Sequence, residues 1–144
     1  MRAETHAITA LLIALTFGFT LPQALVALLA SLLPDIDTAE SKLGRRTKYL
    51  SWLLKFGLEH RGPIHSFLFM IICAAILQLY IPAFVLPFIL GYTSHLILDS
   101  LNYKGTRPFW PLGYRIKGFI KNGSIMEYTL LITIITVFLI LHWT

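Results

Sequence analysis

Apolar residues fall into five blocks, set apart by breaker clusters and two polar stretches. The first runs from 6 to 18. Gly18 to Pro22 (GFTLP) interrupts it before a second block, 23 to 33, which stops at Pro34. At ~1.5 Å per residue either arm covers roughly 20 Å or less, short of the ~30 Å hydrocarbon core. The pair is therefore expected to form a hairpin reaching partway through the bilayer, or a short pair in a thinned one. Residues 66 to 80 (SFLFMIICAAILQLY) predict a third helix, Pro82 and Pro87 punctuate the next turn, and a fourth helix returns to about Leu101. A fifth, about 124 to 143, is long enough to span alone. Between the second and third blocks, 35 to 65 is polar, with a short amphipathic interfacial helix expected over 46 to 58. Residues 102 to 123, rich in Gly, Pro and aromatics, predict irregular structure, and no internal repeat or low-complexity linker is evident.

Composition turns this pattern into a class. Of 144 residues 56% are hydrophobic and only 13% charged, about half the charged share of soluble domains, and mean hydropathy is +0.72. The expectation is an all-α integral membrane protein with one domain over residues 1–144. The single Cys73 cannot form an intrachain disulfide and reads as a small packing residue. The net charge of +5 is explained by membrane orientation and anionic headgroups, and nucleic acid is discounted as a partner. The first segment has the apolar core of a signal peptide, but Glu4 and His6 beside one basic residue argue that it is retained. All twelve Lys and Arg lie at position 2, in 42 to 61 or in 104 to 121, so the N-terminus and both long loops are expected in the cytoplasm and the C-terminus outside.

The hairpin reading gathers the chemistry at one level. His6 opens the first helix, Asp35 and Asp37 close the second, His60 and His65 precede the third, His95 and Asp99 end the fourth, and Glu127 opens the fifth. His95 and Asp99 are four apart on one helical face, inside an apolar segment where ionisable residues are costly and by default functional. Four imidazoles and four carboxylates form a ligand set for Zn²⁺, or for Mn²⁺ or Fe²⁺, and exceed the needs of one tetrahedral ion, so one to three ions are expected. Blander roles remain open for several members. Asp35 and Asp37 also suit a solvated helix boundary, and Glu127 suits the dipole of a helix N-terminus. Arg61 is a candidate anion clamp or a topology signal, Ser66, Ser94 and Ser100 suit hydrogen bonds within helices, and His142 reads as interfacial. There is no P-loop, dinucleotide fingerprint or Cys-based zinc motif.

The series LLPDID, HRGPIHS, GYTSHLILD, FWP and GSIMEY resembles the YdjM-like family of inner-membrane proteins over nearly the whole chain. That family is described as metal-dependent hydrolases and as LexA-binding. The resemblance implies that His6, Asp35, Asp37, His60, His65, His95, Asp99 and Glu127 are its metal-site positions, with Arg61, Gly62 and Ser66 also matching. It also implies a multi-pass protein of the cytoplasmic membrane. A more distant similarity to helical zinc phospholipases C rests on the His-x-x-x-Asp pair alone, since Gly123 stands where their His-x-x-x-Glu would have its histidine. The reading drawn from residues and resemblance is a metal-dependent hydrolase acting on a phosphoester of a lipid or lipid-linked substrate, with Asp37 or Glu127 as general base and Arg61 on the anion. Its rival is a membrane binding module in which a structural metal site supports recruitment of a cytoplasmic protein partner.

Overall fold

A computed structural model describes residues 1–37 and 63–143, without the side chains of residues 36 and 37. The interfacial helix expected over 46 to 58, together with His60, Arg61 and Gly62, lies outside the described residues. Among those described, the chain forms five α-helices and no β-strand: α1 (Ala3–Thr16), α2 (Leu21–Leu32), α3 (Phe67–Tyr80), α4 (Val85–Ser100) and α5 (Ile125–Trp143).

The breaker cluster works as its residues dictate. Gly18 takes φ +62°, a conformation open to glycine at little cost, and reverses the chain after α1. Thr20 then caps α2 in a reciprocal box with Gln23, whose Oε1 accepts from the Thr20 backbone N–H at 3.0 Å. Pro22 fits because a first-turn residue needs no helical hydrogen-bond donor. So α2 begins at Leu21, two residues before the expected start, and α1 and α2 pack side by side as the hairpin. Pro34 sits in a 3₁₀ segment, Leu33–Asp37, which prolongs α2 by about one turn.

Ser66 caps α3, accepting from the Phe69 N–H at 3.2 Å. Pro82 opens a single 3₁₀ turn, Pro82–Phe84, and α4 follows. Pro87 lies inside the first turn of α4 rather than in the connection, again a position that tolerates a missing N–H. Two stretches, Pro82–Ser100 and Ile125–Trp143, are long and apolar enough to cross a membrane, whereas α1, α2 and α3 are shorter. The hairpin and α3 both pack on α4, and α5 touches the assembly through α1. After α4, residues 102–123 form the expected irregular loop, held by isolated bridges between Asn102 and Ile120 and between Thr106 and Ile116.

The tightest helix contact is between α2 and α4. A Cβ placed on Gly91 would lie 2.1 Å from the backbone oxygen of Ala27, which is itself fully buried. Only glycine permits that approach. Around it Ala30, Met70, Ala74, Phe88, Tyr92 and Leu96 form the main core. Gly91→Ala is expected to lower stability by about 1–3 kcal/mol, because overpacking against backbone outweighs the ~1 kcal/mol gain in helix propensity. Thermal unfolding of the detergent-solubilised variant checks this, and an unchanged or raised midpoint contradicts it.

Candidate metal centre

The hairpin returns Asp35 to the level of His6, and the 3₁₀ turn Pro63–His65 before α3 and the last turns of α4 bring His65 and His95 to the same place. One ligand atom from each of Asp35, His65, His95 and Asp99 lies within 4.8 Å of every other. His65 Nε2 is 3.8 Å from Asp35 Oδ1 and 4.0 Å from Asp99 Oδ2, and His95 Nε2 is 4.0 Å and 3.7 Å from the same two atoms. A tetrahedron with ~2.0–2.1 Å zinc bonds has edges of about 3.3 Å. The four His–Asp separations exceed that by about half an ångström and every pair lies within 4.8 Å, so the donors would draw inward by side-chain rotation to close on an ion. His65, His95 and Asp99 side chains are fully buried, and Asp35 is 16% exposed. The cluster is thus reached from the Asp35 side among the described residues.

The surroundings aim the donors. His95 Nδ1 lies 2.7 Å from the Ser31 carbonyl, so it carries the proton and leaves Nε2 as the lone-pair atom. Among the described residues that buried Nε2 has no hydrogen-bond partner, and neither has Nδ1 of His6. An acceptor nitrogen buried in this way is costly unless something electropositive meets it. Tyr92 donates its hydroxyl to the Ile64 carbonyl, and Thr106 Oγ1 reaches the His65 carbonyl at 3.5 Å, so the 3₁₀ turn carrying His65 is held from two sides.

His6 adjoins the four-donor group. Its ring stacks on His95 at 4.0 Å between centroids, and its Nε2 lies 3.4 Å from Asp99 Oδ1, which also accepts from the Met1 amine. The two oxygens of Asp99 therefore face different partners. Burial pushes the Asp35 carboxyl up and the Asp99 charge adds to that, but the opposing contributions, led by the polar contact with His65, outweigh both and hold it below the usual carboxylate range. It is anionic at neutral pH.

Glu127 does not join this donor group. It is buried at the start of α5, and its oxygens accept from the Arg2 N–H at 2.7 Å, Thr5 Oγ1 at 3.0 Å and the Gly123 N–H at 2.6 Å. Those bonds tie the first turn of α1 to α5, the anchoring role that its position near a helix N-terminus allowed. The side chain of Asp37, with His60 and Arg61, lies outside the described residues. Ser66, Ser94 and Ser100 are spent within the backbone: Ser94 and Ser100 each donate to a carbonyl one turn back, at 2.7 Å. Exposed His142 stays apart, against Phe138. Sequence reasoning missed Ser31, Tyr92 and Thr106 because two of them act through contacts with the backbone of distant segments and Ser31 through its own carbonyl. Asn102 was missed likewise. It is fully buried; its side-chain amide bonds Asn122, and its carbonyl accepts from Gly105 and Gly118 at 2.9 and 3.0 Å.

The family model described as YdjM inner membrane protein matches residues 1–144. The chain is 38% identical over 98 residues to Inner membrane protein YdjM of Escherichia coli K12, covering 63% of this chain and 50% of that protein, and equally to its Shigella flexneri counterpart. It is 35% identical over 105 residues to Uncharacterized protein YvsG of Bacillus subtilis, covering 70% of this chain and 66% of that one. The match thus spans half the length of the first two relatives. No solved structure matches the chain.

Glu127→Ala should cost on the order of 2–4 kcal/mol, since it strands buried donors at about 1–3 kcal/mol each, whereas Glu127→Gln, which keeps one acceptor oxygen, should cost less. Chemical unfolding of the two variants in detergent gives this ranking. Equal stability of Glu127→Ala and the parent would remove the anchoring role.

Proposed function

Since the chain belongs to the YdjM family of inner membrane proteins, we propose that it is a metal-dependent hydrolase acting on a phosphoester of a membrane lipid or lipid-linked substrate at the cytoplasmic leaflet. The observation that carries the reading is the buried group of two imidazoles and two carboxylates within mutual ligand distance, two of its members projecting from the end of one apolar helix. Carboxylate and imidazole donors suit Zn²⁺, Mn²⁺ or Fe²⁺. When bound, such an ion supplies Lewis acidity toward a phosphoryl oxygen and acidifies water.

The chain's own residues supply the rest. His95, its Nδ1 held by Ser31, presents an Nε2 lone pair, and His65 turns its Nε2 toward the same two carboxylates. Asp99 adds a carboxylate shielded from solvent, shared on its far side with His6. Asp35, the partly exposed member, stands where water and substrate would enter and can accept a proton there. The Lys and Arg of 42 to 61 and of 104 to 121 would draw anionic headgroups to the same leaflet. Complete burial of three of the donors favours a second reading, a closed structural metal site in a module that recruits a cytoplasmic protein partner.

Elemental analysis of the detergent-purified chain is expected to find a transition metal at about one or more ions per chain, lost in the Asp35→Ala, His95→Ala double variant and kept in Glu127→Gln. The metal-loaded protein should release phosphate or headgroup from one of a panel of phospholipids and isoprenoid phosphates, and a chelator should stop it. Metal content unaltered in the double variant overturns the site. A bound metal without turnover on any of these lipids transfers support to the structural reading.

A further inference from the structure

An apolar cleft of about 350 Å³ opens between α2, α3 and α4, lined by Val26 and Leu29 of α2, Leu33 of the 3₁₀ segment after it, Cys73 and Ile76 of α3, and Phe88 of α4. It begins beside the metal-site candidates. Leu33 is two residues from Asp35, and Ala30, also in its wall, precedes the Ser31 whose carbonyl orients His95. From Leu33 to Val26 it follows α2 for about 10 Å at ~1.5 Å per residue, away from the donor level and toward the apolar middle of the helices. Cys73 of α3, eight residues beyond His65, and Phe88 of α4, seven before His95, lie at a corresponding depth.

A cleft with only apolar walls gives water no partners, and leaving it empty forfeits dispersion contacts on every wall. Size decides between the occupants a bilayer offers. A helix of ~10 Å diameter over ~10 Å of length takes up about 800 Å³, more than twice the space. A hydrocarbon chain is only ~4–5 Å across at van der Waals contact and fits lengthwise. We propose that this cleft binds one hydrocarbon chain of the lipid substrate, so that the chain aligns along α2 and its headgroup phosphate comes to the Asp35 mouth of the donor cluster. The chain site stands on the cleft itself. Only its naming as a substrate subsite rests on the hydrolase reading above.

The test uses the whole 144-residue chain in phosphatidylcholine vesicles containing a phosphatidic acid with a diazirine in one acyl chain, with adduct positions mapped by mass spectrometry after photolysis. Helix α5, mostly exposed along its length, reports ordinary lipid contact. Adducts on the 26–33 and 73–77 stretches should exceed those on α5 by about tenfold, the preference that ~1.4 kcal/mol gives. Leu29→Trp and, separately, Ile76→Trp, both at exposed rim positions, should cut the cleft adducts by about the same factor and leave α5 labelling unchanged. Adducts spread evenly over all lipid-facing helices overturn the proposal. So do disulfide-linked dimers through Cys73 that rise with protein density while cleft labelling stays low, because a second copy then fills the space. Metal content and turnover, measured on the same samples, separate the two claims. Cleft labelling without metal or turnover supports the chain site and removes the hydrolase reading, whereas turnover without cleft preference removes the chain site alone.

Discussion

The candidate metal centre depends on how closely α2 approaches α4 at Ala27 and Gly91. One turn beyond that contact on α2 is Ser31, and one turn beyond it on α4 is His95. The 2.7 Å bond between them therefore lies four residues along both helices from the point of closest approach. A further four residues brings Asp35 on one chain segment and Asp99 on the other, both within the donor group. Backbone-to-backbone contact at a glycine leaves little freedom to slide, since any shift meets closely packed atoms. The register of two helices is thus set in an apolar layer and read out, one and two turns away, as the spacing of three of the four donors, Asp35, His95 and Asp99.

Much of this is legible in the sequence, because charge is so sparse that each ionisable residue stands out against apolar neighbours. The breaker GFTLP implies the hairpin, and the hairpin brings residues 6 and 35 to the same level as 95 and 99. Periodicity alone does not separate Asp35 and Asp99 from Glu127, since all three occupy helix ends. What separates them is which backbone groups face each carboxylate, and that depends on the angle at which α5 meets α1. The start of α1 at Ala3 has the same origin, because its first turn is completed by Glu127 from α5. Asn102 is illegible for a related reason: its partners, Gly118 and Asn122, are brought to it by a loop with no periodic pattern.

The short helices acquire a reason once the cluster and the cleft are taken together. The arms α1 and α2, like α3, are too short to cross a ~30 Å core unaided, while α4 with its leading turn and α5 are long enough. A hairpin packed on one spanning helix exposes edges below the donor level, and the cleft between α2, α3 and α4 lies along such an edge. The same shortness places the 3₁₀ segment carrying Asp35 beside the donors on α4.

Helix polarity accounts for the different fates of the three buried acids. Glu127 sits in the first turn of α5 and accepts the N–H of Arg2 at the start of α1, two helix N-termini where partial positive charge favours an anion. Asp35 and Asp99 have the opposite placement, just past the end of α2 and in the last turn of α4, where unsatisfied carbonyls make the potential negative. Two carboxylates in that position also repel each other across less than 5 Å in a medium that screens poorly. The imidazoles and the Met1 amine relieve part of this. A divalent cation between the carboxylates would relieve more, gaining from both acids and both helix ends at once. Glu127 is satisfied where it stands, whereas the arrangement around Asp35 and Asp99 is one that favours a cation.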